Sequence, residues 1–181
     1  MTTALLIIDV QQALCVGEYA CHDIDAVIGR INGLIARARD TGTPVIFVQH
    51  EEADSGLLTH GNDGWQLDAR LAARPEDPRV RKTAPDGFHR TELSATLQAL
   101  GVDHLVICGL QSDFCVDTTT RRALSLGFGV TLVEDGHSTI ANGELTAPQI
   151  RDHHTLILRH LHSFGPAMSA KPAAEIHFDP R

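Results

Sequence analysis

Short apolar runs alternate along the chain with longer segments in which apolar residues recur at helical spacing. The first run covers residues 4–8, and apolar residues then recur every three or four positions between Ile24 and Ala38. A strand made only of apolar residues is typical of a sheet that is covered on both faces. Alternation of such strands with helices of roughly 10–15 residues predicts βαβ units and a parallel sheet.

The pattern predicts an α/β fold, an open doubly wound parallel sheet of about six strands with helices on both faces, which is a Rossmann-like arrangement. Strands are expected near residues 4–9, 44–49, 79–82, 104–109, 129–134 and 164–168. The last of these contains Pro166, which has no N–H for a central strand. Because 181 residues is the length of one ordinary domain, residues 1–181 are expected to form a single domain.

Composition narrows the functional classes. Lys and Arg total 15 against 23 Asp and Glu, so the net charge is −8 with His neutral, and neither a nucleic acid nor an anionic membrane is an expected partner. No apolar run approaches the length of a transmembrane helix, and the first run ends at Asp9 without a basic leader. The four cysteines are too few for a disulfide framework, so a reduced, cytoplasmic protein is expected.

Candidate chemistry lies where the predicted strands end, because ligands of open parallel sheets bind at the carboxyl ends of the strands. Asp9, His50 and Lys82 each follow or end such a strand. The turn after the first strand contains no glycine, and no Gly-Lys-Ser or Gly-Lys-Thr occurs in the chain. Nucleotide-binding motifs are therefore absent, and no cofactor is predicted.

A candidate nucleophile follows the fourth strand. Cys115 is expected in the first turn of a helix, where the helix dipole favours an anion and lowers a thiol pKa to roughly 3.5–7.5. Its position alone leaves a second interpretation open, a small buried residue without chemistry. Cys108 lies inside an apolar run and is expected to be plain core.

A thiol nucleophile needs a base, and none of the eleven histidines ends the first or fourth strand. Asp9 does, and burial beside an apolar run would raise its pKa toward the range of a useful base. Lys82 would hold the negative charges. The alternatives are a solvated strand end for Asp9 and an ordinary surface residue for Lys82.

These residues stand in motifs that resemble the isochorismatase-like cysteine hydrolases, which include nicotinamidases and N-carbamoylsarcosine amidase. The resemblance covers roughly residues 4–165. Its motifs are Asp9-Val10-Gln11, then Lys82 followed by Phe88, Thr91 and Leu93, and the run Gly109-Leu110-Gln111-Ser112-Asp113-Phe114-Cys115-Val116.

The resemblance implies a catalytic triad of Asp9, Lys82 and Cys115. It also implies a cis peptide bond between Leu110 and Gln111, and an oxyanion hole formed by the backbone N–H groups of Gln111 and Cys115. A cysteine-dependent amidohydrolase follows, which cleaves a C–N bond of a small amide, ureide or cyclic amide through a thioester, with water as second substrate. Family members commonly form dimers or tetramers, so a homodimer or homotetramer is expected.

Expected substrate contacts are Gln49 and His50 after the second strand, Trp65 in the long segment between residues 51 and 77, and Phe88. A lone Trp is more often simply packed in the interior, and the same alternative applies to Phe88. His137 follows the fifth strand and is expected to be a loop residue, with an approach to the pocket as the alternative.

Nicotinamidases bind a divalent metal through an Asp-x-His after the second strand, and here that stretch reads Gln49-His50-Glu51-Glu52-Ala53-Asp54. His50, Asp54 and His60 could still gather a metal. Scattered loop residues are the simpler interpretation, so no metal is predicted and nicotinamide is disfavoured as substrate.

Three other functions compete with amide hydrolysis. A vinyl-ether hydrolase of the isochorismatase type acts without a cysteine nucleophile, and Cys115 argues against it. A non-catalytic oligomeric ligand-binding protein would not need Asp9, Lys82 and Cys115 together. A redox thiol protein would need a resolving cysteine, and no Cys-x-x-Cys occurs.

Overall fold

The computed structural model describes residues 1–53 and 56–180. Its sheet has six parallel strands in the order β3-β2-β1-β4-β5-β6, which is the Rossmann order. The strands are β1 (Thr3–Ile8), β2 (Val45–His50), β3 (Arg79–Lys82), β4 (His104–Leu110), β5 (Gly129–Ser138) and β6 (Met168–Lys171). The predicted fold class is confirmed.

Helices cover both faces of the sheet. They are α1 (Gln12–Cys15), α2 (Ile24–Asp40), α3 (Leu93–Ala99), α4 (Asp117–Ser125) and α5 (Ala147–Arg159), with a π-turn over Ser112–Val116 between β4 and α4. Alternate residues of β1 belong to opposite cores: Leu5 to the core that contains Ile31 of α2, and Leu6 to the core that contains Leu97 of α3. Full burial of each such side chain contributes about 1.5–3 kcal/mol, which explains the uninterrupted apolar runs.

Two sequence expectations about strand positions were wrong. The last strand was expected near residues 164–168, but β6 is Met168–Lys171, because Gly165 turns the chain with φ 98° and Pro166 cannot donate to a ladder. The fifth strand was expected to stop at residue 134, yet β5 continues to Ser138. Its ladder with β4 shifts register between Ile107 and Gly109, and it then pairs Gly109 with His137. His137 is therefore a strand residue rather than a loop residue.

The order of strands reverses at β1, which pairs with β2 on one side and β4 on the other. Gly109 of β4 allows this pair to stay close at its carboxyl end. Its φ is +118°, and a Cβ there would lie 2.1 Å from the Ile8 carbonyl oxygen. The reversal opens a crevice at the carboxyl ends of the strands. Within the described ranges, no helix combines the length and hydropathy needed to cross a membrane.

Candidate active site

The structure brings the three predicted catalytic side chains together. Asp9 follows β1 in a left-handed conformation, with φ 51°, and Lys82 is the last residue of β3. Cys115 lies in the π-turn after β4. Lys82 Nζ lies 2.6 Å from Asp9 Oδ2 and donates a hydrogen bond of 3.1 Å to Cys115 Sγ.

The ion pair at the centre of this group is buried, with Asp9 and Lys82 each 1% exposed. Burial by itself lowers the pKa of Lys82, but the negative charge of Asp9 and the contact with Cys115 outweigh it, and the pKa of Lys82 is raised. The third polar contact of Lys82 Nζ is His50 Nδ1, at 3.1 Å. An ammonium has three donors, so all of them are used and Lys82 remains charged.

The thiol of Cys115 is neutral at rest. Burial and the nearby charge of Asp9 raise its pKa to about 12, although Lys82 acts in the opposite direction. The expected lowering of this pKa at a helix start was wrong, because the thiol is buried and has a carboxylate beside it. Asp9 Oδ1 is buried and has no hydrogen-bond partner in the described part of the chain. A carboxylate oxygen of Asp9 lies within 4.8 Å of Cys115 Sγ.

The segment before Cys115 is held by its own backbone. The peptide bond between Leu110 and Gln111 is cis. The carbonyl oxygen of Gln111 accepts hydrogen bonds from the N–H groups of Phe114 and Val116, at 3.2 and 3.1 Å. These bonds close the π-turn around Cys115 and fix the position of its Cα.

A buried histidine supports the same segment from the opposite side. His137 is 0% exposed; its Nδ1 lies 2.7 Å from Ser112 Oγ, and its Nε2 lies 3.0 Å from Thr155 Oγ1. Burial, and then the charge of Arg151, lowers the pKa of His137 to about 3, so the ring is neutral. Sequence reasoning missed this contact, because Asp135-Gly136 resembles a turn that ends the strand. We call His137, Ser112 and Thr155 the histidine network.

The triad opens into a cavity of about 260 Å³. Its lining combines the reactive groups with one further acid and several apolar side chains. The lining residues are Asp9, Leu14, His50, Glu52, Leu58, Pro85, Gln111, Phe114 and Cys115.

Of the four expected substrate contacts, His50 lines this cavity. Its ring is half-buried, and burial, then the charge of Lys82, lowers its pKa. Gln49 is 1% exposed, and its Nε2 donates to the Trp65 carbonyl oxygen at 3.0 Å, so both residues fasten the long loop outside the cavity lining. Phe88 packs in the core, where its ring stacks on Phe128 at 5.8 Å.

The metal question concerns two sets of residues. Of the set His50, Asp54 and His60, Asp54 lies outside the described residues, and the His60 ring packs edge-on against Trp65. A second set is closer together, since donor atoms of Asp9, His50 and Cys115 lie within 4.8 Å of one another.

Lys82 Nζ contacts all three members of that second set, at 2.6, 3.1 and 3.1 Å. An ammonium therefore stands among the donors that a metal ion would need. This donor set does not fit a divalent cation while Lys82 is in place.

Comparisons with known proteins agree with this geometry. A sequence model of the isochorismatase domain matches residues 3–171. A streptothricin hydrolase of Streptomyces noursei is 41% identical over 136 residues, which are 75% of this chain and 49% of that protein. A ureidoacrylate amidohydrolase of Caulobacter segnis is 29% identical over 170 residues, covering 74% of this chain and 71% of that protein.

Among solved structures, the N-carbamoylsarcosine amidase of Thermoplasma acidophilum superposes with a TM-score of 0.79 at 26% identity, over 97% of this chain and 99% of that chain. The chain spans about half the length of the streptothricin hydrolases that it matches. The domain match, however, covers nearly all of the present sequence. The chain belongs to the isochorismatase family.

Proposed function

We propose that this protein is a cysteine-dependent amidohydrolase that cleaves the C–N bond of a small amide, ureide or cyclic amide. The observation that carries the proposal is the position of Lys82 Nζ, in contact with both the Asp9 carboxylate and the Cys115 thiol. A base, a cation and a nucleophile within hydrogen-bond distance are the parts that nucleophilic catalysis requires. The names of the relatives, two hydrolases and an amidase, support the same chemistry.

The first half-reaction begins with a proton transfer. Asp9 Oδ1 takes the proton of Cys115 as Sγ attacks the carbonyl carbon of the amide. The developing oxyanion accepts hydrogen bonds from the backbone N–H groups of Gln111 and Cys115. Removal of one such donor costs other enzymes about 10²–10³ in kcat. Lys82 stabilises the thiolate and keeps Asp9 in place.

Asp9 then completes the first half-reaction by returning its proton to the amide nitrogen as the C–N bond breaks. This leaves a thioester on Cys115 and releases ammonia or an amine; from a cyclic amide the amine stays attached to the acyl group. In the second half-reaction a water molecule loses a proton to Asp9 and attacks the thioester carbonyl. The carboxylic acid departs, and Sγ recovers the proton from Asp9. Leu58 is a buried apolar residue of the cavity wall, and it limits water there, which strengthens local electrostatic interactions.

No metal or cofactor enters this mechanism. The charge that a metal would supply is supplied by Lys82, which stays protonated because its pKa is raised. Activity is therefore expected to survive exhaustive chelation. A loss that zinc restores would overturn this part of the proposal.

The proposal is tested by a screen over amides, ureides, carbamoyl compounds and cyclic amides, which detects released ammonia or amine and, for cyclic amides, the amino group formed by ring opening. Wild type is compared with Cys115→Ala and with Cys108→Ala, a matched loss of a thiol from the core. Activity is expected in wild type and in Cys108→Ala, and absent from Cys115→Ala. Equal rates in Cys115→Ala and wild type would exclude the thiol mechanism.

A further inference from the structure

The charge of the cavity wall is set by one residue. Asp9 is offset by Lys82 at 2.6 Å, and the lowered pKa of His50 leaves that ring neutral. Glu52 is the remaining ionisable group of the lining that carries a charge, and no Lys or Arg is among the described lining residues. The cavity wall is therefore negatively charged, whereas the net charge of Asp9, Lys82 and Cys115 together is zero.

The Glu52 carboxylate is held in position by its neighbours. Its Oε2 accepts a hydrogen bond of 3.3 Å from the Leu58 N–H, and its backbone N–H donates to the Leu58 carbonyl oxygen at 3.2 Å. Gly56 leaves the space for it, since a Cβ at Gly56 would lie 1.9 Å from Glu52 Oε2. The local backbone thus holds one carboxylate oxygen of this exposed side chain at the cavity edge.

Nothing in the described chain neutralises this acid. Glu52 forms no ion pair within 4.0 Å of a described basic group, whereas the adjacent Glu51 pairs with Arg81. A charge that is fixed at a cavity edge, without a counter-ion from the protein, attracts an opposite charge on the ligand.

We infer that the cavity takes amides that carry a cationic group, an ammonium or guanidinium, and that Glu52 is the residue that binds this group. The inference rests on the proposed function and names the substrate class of the same site. The carbonyl carbon lies at Cys115 Sγ, and an aliphatic connection packs along Leu58 and Phe114. An amide that carries a carboxylate in place of the cation would meet a like charge at Glu52 and no positive partner.

The first test measures charge preference without turnover. Cys115 is labelled with 2-aminoethyl, methyl and 2-sulfonatoethyl methanethiosulfonate, and each rate is divided by that of the same reagent with 2-mercaptoethanol. The cationic reagent is expected to react about tenfold faster than the anionic one after this correction. The same labelling of Cys115→Ala measures the reaction at other cysteines, and the difference is the reaction at Cys115. This background is expected to be low, because the other cysteines are buried (Cys15, Cys21 and Cys108).

Two variants assign the preference to Glu52. Glu52→Gln removes the charge, and Gly56→Ala keeps the charge but displaces the carboxylate; each is expected to lower the cation-to-anion ratio at least about threefold. Glu175→Gln is the matched control, since Glu175 is exposed and lies near Met1 and Thr3 at the amino ends of the strands. The inference is overturned if the corrected cation-to-anion ratio of wild type is 1 or below. It is also overturned if Glu52→Gln leaves that ratio unchanged.

The second test uses substrates of equal length. The amide of 5-aminopentanoic acid, hexanamide and the monoamide of adipic acid present an ammonium, a methyl group and a carboxylate at the same position. The expected kcat/KM is highest for the ammonium compound, lower for the methyl compound and lowest for the carboxylate. Glu52→Gln is expected to lower the kcat/KM of the ammonium compound to that of the methyl compound. A faster reaction of the carboxylate overturns the inference alone. Absence of Cys115-dependent ammonia release from every amide defeats the proposed function, while the labelling rates still decide the charge preference.

Discussion

Two buried polar sites flank the segment from Leu110 to Val116, and they handle charge in opposite ways. On one side, Asp9 and Lys82 remain ionised while almost completely buried. On the other side, the histidine network is built from neutral groups, since the pKa of His137 is lowered to about 3. Both sites lie at the carboxyl end of the sheet.

The difference shows what burial costs and what offsets it. An ammonium is tolerated in the interior when a carboxylate lies against it and its donors are satisfied. A histidine without a carboxylate partner loses its proton instead. In the proposed mechanism the charged site takes a proton from Cys115, whereas the neutral site only positions the segment that carries Cys115. Four predictions test this division, in order of the expected size of effect.

Replacement of the nucleophile has the largest expected effect. Cys115→Ala is expected to lower kcat on any amide that the screen identifies by at least about a thousandfold, because covalent catalysis is lost. Steady-state ammonia release provides the measurement. Cys108→Ala is the control, expected to keep at least half the activity. Retention of activity by Cys115→Ala would remove the functional difference between the two sites.

Removal of the buried ammonium should affect folding as well as activity. Lys82→Met leaves Asp9 buried without a partner, so the free energy of unfolding is expected to fall by about 3–5 kcal/mol. Urea denaturation at neutral pH measures this change. The double variant Asp9→Asn/Lys82→Met is expected to recover most of the loss, because no charge then remains buried. A loss below about 1 kcal/mol in Lys82→Met, as for a surface pair, would contradict the buried ion pair.

The histidine network should make the protein sensitive to acid. The pKa of His137 is lower in the folded state than in the unfolded chain, so the unfolded state binds the extra proton between about pH 6.5 and 3. Stability is therefore present above pH 6.5 and is lost as the pH falls, by up to about 1.4 kcal/mol per pH unit.

The measurement is urea denaturation between pH 7 and 4, for wild type and His137→Gln. The amide can still hydrogen bond to Ser112 and Thr155 but does not titrate, so a shallower slope with pH is expected. His153→Gln, on the exposed face of α5, is the control. Equal slopes in wild type and His137→Gln would contradict a neutral, titrating His137.

The smallest expected effect is a change in the alkylation rate of Cys115, which separates two roles of Asp9. Its charge raises the pKa of the Cys115 thiol, so Asp9→Asn should lower that pKa and speed alkylation of Cys115 by iodoacetamide about tenfold at pH 8. The same variant should abolish turnover, since the base is gone. Circular dichroism confirms that the variant is folded. Slower alkylation in Asp9→Asn would mean that Asp9 already activates the thiol in the resting enzyme.

The charged site was predictable from the sequence and the neutral one was not. Asp9 and Lys82 follow or end predicted strands and Cys115 lies in the turn after another, and parallel topology brings such ends to one edge. His137 was missed because the register shift after Ile107 carries β5 past an apparent turn, and such a shift depends on tertiary pairing. Phe88 lies in the core rather than the cavity for a similar reason, since its partner Phe128 is forty residues away along the chain.

The environment of the Cys115 thiol also could not be predicted from the sequence. A position near a helix start predicts a lowered pKa for Cys115, and the actual direction depends on burial and on the distance to Asp9, which no local pattern encodes. Glu52 carried no signal either, as one of seven acids between residues 51 and 77. The role inferred for it depends on the Gly56 and Leu58 contacts that hold it at the cavity.

The close approach of Gly109 to Ile8 constrains the sequence at the reactive groups but not at the cavity wall. A methyl group at Gly109 would push β4 away from β1 and move Cys115 relative to Asp9, so the catalytic distances depend on one hydrogen atom inside the sheet. The wall residues Glu52, Leu58 and Phe114 come from loops and a turn that leave this contact untouched. Selection or engineering can therefore change substrate range at the walls while the spacing of the reactive groups stays constant.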